Sequence, residues 1–574
     1  MCLAEALLRI PDSATRDLLI EDKIQQGDWH HYLRQSDALF VNAATWGLFL
    51  TGKLLQPSAT HGLGAVLKQL LLKSSRPIIR YMLDQAMRMM GEQFVTGETI
   101  HAALKRAHVL EQQGFRYSYD MLGEAAMTAA EATRYYDDYL NAIHAIGTAS
   151  QGQDLYQSTG ISVKLSALHP RYQRAQLPRL QQELYPQLLS LAKWAKHYQL
   201  GFNIDAEESQ HLELSLALFE RLCFEADLAD WHGLGFVIQA YRKRCAALVD
   251  HLIDLAIRSQ HRLMLHLVKG AYWDSEIKQA QIDGLDYPVF TRKAHTDLSY
   301  LVCAQKLLAA LEVVYPQFAT HNAQTLASVY VLAQNAPAHP DPYEFQCLHG
   351  MGEALYQQVL GSHAEAKGMP CRIYAPVGQH DNLLAYLVRR LLENGANTSF
   401  VHRIADADLS LERLLEAPQI SILKAATDAT LDTAHPALAH PLHLYGPARL
   451  NSLGLDLHAD GVLRQLQQAA QHFKTQHYQA MPLAQGLNNS QLMFKPADTQ
   501  ARVGEVWPAS AAQIELALQR AVAAQDDWQD CASVERAACL QRCADLMQQH
   551  RLELVLLLGR ESGKTYANAL AEVR

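Results

Sequence analysis

The chain has 574 residues, of which 49% are hydrophobic and 19% are charged, and its formal net charge is −9 at pH 7. A single hydrophobic core rarely grows beyond about 250–300 residues, so this length predicts several domains. The acidic balance argues against a nucleic-acid-binding face as the main function. No apolar run approaches the roughly 20 residues of a membrane helix, and the first residues lack the basic start and apolar core of a signal peptide. The nine cysteines include no C-x-x-C pair. We therefore expect a cytoplasmic chain with neither a disulfide framework nor a metal site.

Residues 1–110 predict an α-helical arm and helical domain, because apolar residues recur there at intervals of three and four. Near residue 115 short strand-like runs begin to alternate with helical stretches. There are eight, with room for a helix in every gap: FRYSYDM from 115, ISVKLSAL from 161, GFNID from 201, GFVIQAY from 235, LMLHLVKG from 263, PQFATHN from 316, YEFQCLHG from 343 and CRIYAP from 371. Alternating βα units also make open doubly wound sheets. The count of eight and the absence of G-x-G-x-x-G after the first run favour an α/β fold, a (β/α)8 barrel over residues 111–425.

Polar side chains follow each of these runs. They are Asp120 and Glu124, Lys164, Asp205, Gln239, Lys269, the triplet Thr320, His321 and Asn322, then Gln346 and Tyr374. A polar residue alone commonly marks where a strand stops. Since a barrel carries its active site at the C-terminal ends of its strands, eight polar ends in succession predict one polar mouth.

The stretch YLVRRLLENGANTSF, residues 386–400, predicts the helix after the eighth strand, and it places Arg389 beside Arg390. Neighbours on a helix point about 100° apart, so the two guanidiniums repel each other unless an anion lies between them. Glu393 could neutralise both and make this an ordinary polar stripe. The alternative is that a bound anion is the counter-ion.

Beyond residue 425 the pattern becomes irregular. Residues 426–500 are rich in proline and glycine at their start and are interpreted as a linker, whereas residues 501–574 are mostly helical. GRESGKT, near the end, has three residues between its first glycine and G-K, whereas a phosphate-binding loop needs four. It also follows a leucine-rich helix instead of a strand, so we reject a nucleotide site there.

Several motifs resemble a known family. YDMLGEAA, GISVKLSALHPRY, VIQAYRKR, LVKGAYWDSEIKQAQ, FATHNAQT, EFQCLHGMGEALY and YAPVGQHDNLLAYLVRRLLENGANTSFV are similar to the proline dehydrogenase domain of bacterial bifunctional proline utilization A, over about residues 1–500. Trp528, Arg536 and ESGKTYANALAEV resemble the start of the aldehyde dehydrogenase domain that follows in that family. The resemblance implies a fragment from which no aldehyde oxidation is expected. Nothing at the N-terminus resembles a DNA-binding module, so no nucleic-acid partner is expected.

The resemblance implies FAD-dependent oxidation of L-proline to Δ1-pyrroline-5-carboxylate, the first step of proline catabolism to glutamate, by hydride transfer from proline C5 to flavin N5. By the same resemblance, Lys164, Arg389 and Arg390 would bind the substrate carboxylate. Asp205 would align this cluster, and Glu393 would support the arginines. The proline ring would meet Tyr272, Leu348 and Tyr374. The implied cofactor contacts are Asp205, Gln239, His266, Lys269, Gly270, Ala271, Trp273, Thr320, His321, Asn322 and Gln346, where His266 replaces the arginine usual in the family. A quinone acceptor and peripheral association with the inner face of the plasma membrane are also implied, while the oligomeric state stays open.

Two alternatives remain at this point. A lysine at a strand end can form a Schiff base with a carbonyl substrate, and Lys164 or Lys269 could serve in an aldolase-type barrel. A chain of this kind could also be a catalytically impaired flavin-binding scaffold that docks partners through its helical arm.

Overall fold

The computed structural model describes residues 94–150, 153–358, 368–379, 415–427, 434–483 and 489–574, with the single positions 12, 15, 18, 386, 389, 390 and 412. Most of the predicted helical arm, as well as Glu393, lies outside these residues. In the described part of the chain, no helix is both long and apolar enough to cross a membrane.

Eight parallel strands close into a barrel in chain order, each paired with the next and the eighth with the first. This confirms the predicted (β/α)8 fold. The strands are β1 Phe115–Met121, β2 Gly160–Val163, β3 Phe202–Ile204, β4 Leu234–Gln239, β5 Leu263–Val268, β6 Val314–Ala319, β7 Glu344–Leu348 and β8 Cys371–Val377.

Helices occupy the connections between the strands and most of the C-terminal region. They are α1 Ile100–Glu111, α2 Ala129–Ala149, α3 Leu177–Glu183, α4 Tyr185–His197, α5 Leu212–Cys223, α6 Cys245–Ser259, α7 Trp273–Asp283, α8 Lys293–Leu308, α9 Ala323–Gln334, α10 Glu353–Gln357, α11 Pro418–Thr427, α12 Asp460–Phe473, α13 Ala511–Ala523, α14 Gln525–Asp530, α15 Ser533–Gln549, α16 Arg551–Ser562 and α17 Tyr566–Val573. Local sequence explains where some begin: a capping box between Thr128 and Glu131 starts α2.

Alternation along β1 separates an apolar outer face from a polar inner face. In β1, Phe115, Tyr117 and Tyr119 pack into the core beneath the helices, whereas Ser118 and Asp120 are buried outside that apolar cluster. Branched apolar side chains usually fill such a barrel. Here the lower interior instead holds Glu344, which Arg372 and Arg116 contact as an ion-pair network. Burial alone would raise the pKa of Glu344, but the Arg372 charge brings it below its usual range. The interior is therefore built to hold polar groups.

The segment interpreted as a linker is more ordered than the sequence predicted. It contains α12 and most of a small sheet made of β9 Tyr478–Ala480, β10 Gln491–Lys495 and β11 Asp498–Val506. Part of it lies against the barrel, where Arg174 donates to Asp460 at 2.7 Å and the Tyr287 hydroxyl donates to the Ala439 carbonyl at 2.7 Å. Tertiary contacts of this kind order a segment whose proline and glycine content suggested a loop.

Candidate active site

Four side chains from neighbouring strands form one hydrogen-bonded cluster at the barrel mouth. The Lys164 ammonium lies 2.6 Å from Asp120 Oδ2 and 3.0 Å from Asp205 Oδ2. The Tyr374 hydroxyl donates to Asp205 at 3.0 Å and accepts from Lys164 at 3.5 Å. The order β8, β1, β2, β3 in the barrel brings these residues together, although 254 positions separate Asp120 from Tyr374 in the chain. The predicted convergence of Lys164, Asp205 and Tyr374 is present in the structure.

The electrostatics of the cluster favour a charged lysine. Burial would lower the pKa of Lys164, but Asp120, Tyr374 and Asp205 hold it well above its usual value. Burial would raise the pKa of Asp205, and the lysine charge lowers it below its ordinary range. Asp120 differs, because burial raises its pKa further than Lys164 lowers it. Lys269 is ion-paired too, at 2.6 Å from Asp297. A Schiff base needs an unprotonated amine, so these ion pairs argue against the aldolase-type alternative.

The two arginines lie inward and not in bulk solvent. Arg389 donates two hydrogen bonds to the Glu124 carboxylate, at 2.8 and 2.9 Å, and its guanidinium is 5.1 Å from the ring centre of Tyr272. Arg390 is buried, with its guanidinium 5.1 Å from the ring centre of Tyr386. The sequence offered a bound anion or Glu393 as the counter-ion, and the structure adds Glu124 as one for Arg389. A ligand carboxylate would share or replace that partner.

The loop that follows β2 holds the backbone next to Glu124 in place. Ala125 has a left-handed conformation, with φ of 50°, which is uncommon for a residue other than glycine. The Ser166 hydroxyl accepts from the Ala125 N–H at 2.9 Å, and the Ser166 carbonyl accepts from Ala126 at 3.0 Å. These bonds place the carboxylate of Glu124 where Arg389 can reach it.

The other side of the mouth, from β4 to β7, carries uncharged polar groups with unused hydrogen-bonding capacity. Gln239 Oε1, His266 Nε2 and Gln346 Oε1 are buried and make no hydrogen bond to any residue that the structure describes. Burial lowers the pKa of His266 to about 4, which leaves the imidazole neutral near pH 7. His266 lies beside the cluster, with its ring 6.4 Å from that of Tyr374. Unsatisfied buried polar atoms are costly, so this side fits a bound group rich in donors and acceptors.

The loops after β5 and β6 complete this side. Lys269 contacts Asp297 and also donates to the Thr325 hydroxyl at 3.1 Å. Gly270 has φ of +125°, and a Cβ there would meet the Tyr241 ring. Further along, Ala271 is exposed and the Trp273 indole donates to the Phe290 carbonyl at 2.9 Å.

At the β6 end, each residue of the predicted triplet has a local structural role. Thr320 Oγ1 accepts from the Asn322 N–H at 3.1 Å, and Asn322 caps α9 by accepting from Thr325. His321 Nε2 accepts from the backbone of Leu348 at 3.0 Å. These residues therefore lie on one rim, and their roles toward a cofactor stay predictions.

Sequence reasoning missed several residues of the site. Asp120 and Glu124 were noted only as polar strand ends, and the partner Asp297 was not noticed. Glu207 was also missed: its carboxylate accepts from the Ser166 N–H at 3.2 Å, and burial raises its pKa to about 7. Together with Glu208 and His211 it places three possible ligand atoms within 4.8 Å of one another. The only sequence signal was position, because Glu207 follows β3 directly as Asp205 does.

The fold and site together define a (β/α)8-barrel protein whose mouth has a charged side, with Lys164 and Arg389 available to a small carboxylate, and a largely uncharged polar side suited to a larger bound group. Family models agree with this class. Residues 103–403 match the model of proline dehydrogenase, and residues 485–574 match that of the aldehyde dehydrogenase family. The first model covers about half of the chain, and the chain belongs to the proline dehydrogenase family.

Relatives support the same family. The chain is 56% identical over 581 residues to the bifunctional protein PutA of Escherichia coli, and 51% identical over 587 residues to that of Rhizobium meliloti. Both alignments cover the whole chain but only 44% and 46% of the relatives, so the chain spans less than half of their length. Proline dehydrogenase 1 of Bacillus subtilis is 27% identical over 332 residues, which is 58% of this chain and 96% of that protein.

Solved structures resemble the whole chain. A mutant of Bradyrhizobium japonicum proline utilization A is 42% identical with a TM-score of 0.74, and it covers 100% of this chain and 54% of its own. Proline utilization A from Bdellovibrio bacteriovorus, inactivated by N-propargylglycine, is 24% identical with a TM-score of 0.77 over 98% of this chain and 59% of its own, a likeness of fold alone.

One prediction is contradicted by these comparisons. Residues 1–94 match the family model described as the DNA-binding domain of proline dehydrogenase. The expectation that no part of this chain resembles a nucleic-acid-binding module is therefore wrong. Acidic net charge is a property of the whole chain, and it does not report what one short segment is related to.

Proposed function

We propose that this chain oxidises L-proline to Δ1-pyrroline-5-carboxylate with FAD as its cofactor. The observation that carries the proposal is the mouth of the barrel, where Lys164 and Arg389 lie across from buried uncharged polar groups in a member of the proline dehydrogenase family. The family resemblance adds Arg390 to the charged side. Proline offers one fixed anion and one apolar ring. The two sides of the mouth match the substrate acid group and a polar planar cofactor.

The chain's own residues would bind and orient the substrate. Planar guanidiniums hold a carboxylate with two parallel hydrogen bonds, each charge-assisted bond contributing about 1.5–3 kcal/mol. Tyr272, Leu348 and Tyr374 would enclose the ring and direct C5 across the mouth. Fixing both reactants in this way can be worth about 7–11 kcal/mol of the barrier.

FAD, when bound, supplies the acceptor for the hydride that leaves proline C5. Its polar edges fit the unsatisfied atoms of Gln239, His266 and Gln346. The other residues that would hold it lie in the loops after β5 and β6: Lys269, Gly270, Ala271, Trp273, Thr320, His321 and Asn322. Asp205 belongs to the substrate cluster, and although burial lowers the pKa of His266, the nearby Asp205 charge raises it in part.

The visible spectrum of the purified chain with FAD tests this proposal. We expect a bound-flavin spectrum that L-proline bleaches in the absence of oxygen. Cyclopentanecarboxylate, which has the ring and the acid but no amine, is the control and should leave the colour unchanged. A bound flavin that L-proline never bleaches would instead support the non-catalytic scaffold.

The same proposal includes a quinone as electron acceptor and association of the reduced chain with a membrane surface. Both follow from the family resemblance. Proline-dependent reduction of a soluble ubiquinone analogue tests the first, and co-sedimentation with lipid vesicles before and after proline tests the second.

A further inference from the structure

The charged cluster holds two carboxylates for one ammonium. Asp120 and Asp205 both contact the same Lys164 nitrogen, at 2.6 and 3.0 Å. Asp205 also accepts from the Tyr374 hydroxyl, so it has two donors. Asp120 is 1% exposed, and within the described residues its Oδ1 atom accepts no hydrogen bond. A buried carboxylate oxygen without a donor is costly, and neutralising the lysine requires only one of the two aspartates.

The chemistry of the proposed function, on which this inference rests, creates a need for a second carboxylate. The substrate is a secondary amine that carries a proton at neutral pH. Its nitrogen must release that proton before its electron pair can form the C=N bond of the product. None of the roles given above to the arginines, tyrosines or Asp205 accepts that proton.

We propose that Asp120 takes up the proton of the substrate amine, acting through Lys164. The N–H bond of the substrate breaks and leaves the electron pair on its nitrogen. Lys164 first passes a proton along the 2.6 Å hydrogen bond to Asp120 Oδ2, and the neutral amine that this leaves then accepts the proton of the substrate nitrogen. Lys164 is an ammonium before and after, Asp120 becomes a carboxylic acid, and no electrons change hands in this step. Asp205 and Tyr374 keep Lys164 in place throughout.

The surroundings of Asp120 suit it for this role. The charged and titratable groups that act on it or respond to it are Lys164 just after β2, Asp205 after β3, Tyr374 from β8, Tyr139 from α2 and Arg389. Burial raises the pKa of Asp120, whereas Lys164 holds the pKa of Asp205 below its usual range. Two carboxylates whose environments separate their pKa values in this way commonly divide acid–base roles. Asp205 stays ionised, and Asp120 accepts.

The rate of flavin bleaching at saturating proline, measured from about pH 5 to about pH 10, tests this role. The base form of Asp120 is present above its raised pKa, so the wild-type rate should fall as the pH drops through that pKa. General acid–base catalysis contributes roughly 100- to 10,000-fold. Asp120→Asn should therefore be at least about 100-fold slower near pH 7, with a rate that keeps rising with pH because solvent must take the proton. Asp120→Glu, which keeps a carboxylate, should restore the wild-type shape of the profile.

Two further variants keep the test decisive if Asp120→Asn does not fold. Lys164→Arg preserves the positive charge but cannot hand over a proton near neutral pH, so it should show the same rising profile. His266→Gln removes another buried base near the cluster and should retain the acid limb. Binding of oxolane-2-carboxylate, the amine-free analogue of proline, should change only a few-fold in Asp120→Asn.

The inference is overturned if Asp120→Asn or Lys164→Arg keeps the wild-type profile and changes only KM, since Asp120 would then merely position Lys164. Loss of the acid limb in His266→Gln would overturn it as well and assign the proton to the imidazole. If the wild-type chain binds FAD but proline never bleaches the flavin, the proposed function itself is contradicted. That outcome is distinct from failure of the Asp120 role, which would show only in the variants.

Discussion

The two sides of the barrel mouth are built differently. From β8 through β3 the side chains are charged and partnered, as in the cluster of Lys164 with Asp120 and Asp205. From β4 through β7 most are uncharged, apart from the Lys269–Asp297 ion pair, and Gln239, His266 and Gln346 retain buried polar atoms without a partner in the described chain. A buried charge needs a partner, because burying it unpaired costs a large amount of free energy. A neutral amide can stay without a partner until a ligand binds, since its burial costs less. This difference supports the proposal that the charged side binds the substrate anion and the largely uncharged side binds the cofactor.

Lys164→Met should have the largest effect, because it leaves Asp120 and Asp205 buried without a cation. Removing one partner of a buried ion pair typically costs about 3–5 kcal/mol. We expect a loss of that order in the free energy of unfolding, measured by urea denaturation, together with loss of proline-dependent dye reduction. Lys193→Met is the matched control, since Lys193 pairs with Asp227 at 2.7 Å on the surface, where solvent screens the pair, and its loss should cost far less. Equal losses in the two variants would show that the charged side is not special.

His266 should make the folded chain less stable in acid. Its pKa is about 4 in the folded chain, against about 6.5 when unfolded. Because its pKa is lower in the folded chain, His266 binds a proton more readily in the unfolded state. Its contribution to stability is therefore fully present above pH 6.5 and is lost as the pH falls toward 4. The shift corresponds to about 3 kcal/mol. The free energy of unfolding of wild type and of His266→Gln, compared at pH 8 and pH 4.5, should fall less in the variant. An equal fall in the two proteins would show that His266 does not cause the acid sensitivity.

Arg389→Met tests whether the cationic side binds the substrate acid. Loss of a charge-assisted hydrogen bond of about 1.5–3 kcal/mol should raise the proline KM by roughly 10- to 100-fold while FAD stays bound. Gln239→Ala, on the neutral side, should instead weaken FAD binding with little change in the proline KM. Steady-state kinetics and flavin titration measure both. An unchanged KM in Arg389→Met would make the arginine structural.

Glu124→Gln should have the smallest effect and the opposite sign. Glu124 competes with the substrate carboxylate for Arg389, and both side chains are partly exposed, at 28% and 17%. Because the pair is bidentate, it is stronger than an exposed surface pair of about 0.2–1 kcal/mol, so its removal should lower the proline KM by roughly fivefold. A higher KM would mean that Glu124 holds Arg389 in its binding position.

Much of the scaffold followed from local patterns. The run FRYSYDM was predicted as a strand and is β1, Phe115–Met121, because alternating bulky residues have a strong strand signal. The stretch around Asp460–Phe473 was interpreted as a linker and is a helix, since its proline-rich beginning obscured the amphipathic pattern that follows. The net charge of the whole chain likewise led to the wrong expectation about nucleic acid, because a sum over 574 residues does not show what a single segment is related to.

Periodicity and strand length are local properties, so the number and order of the βα units and the polar residues at the strand ends could be predicted from the amino-acid pattern. How those residues are paired depends on the folded barrel. Arg389 and Glu124 are 265 positions apart, and barrel closure alone brings them within 2.8 Å. Burial then set the charge states, making His266 neutral and separating Asp120 from Asp205. Solvent exclusion and the distances between charges depend on the assembled barrel, and these fix ionisation in a way that no local pattern records.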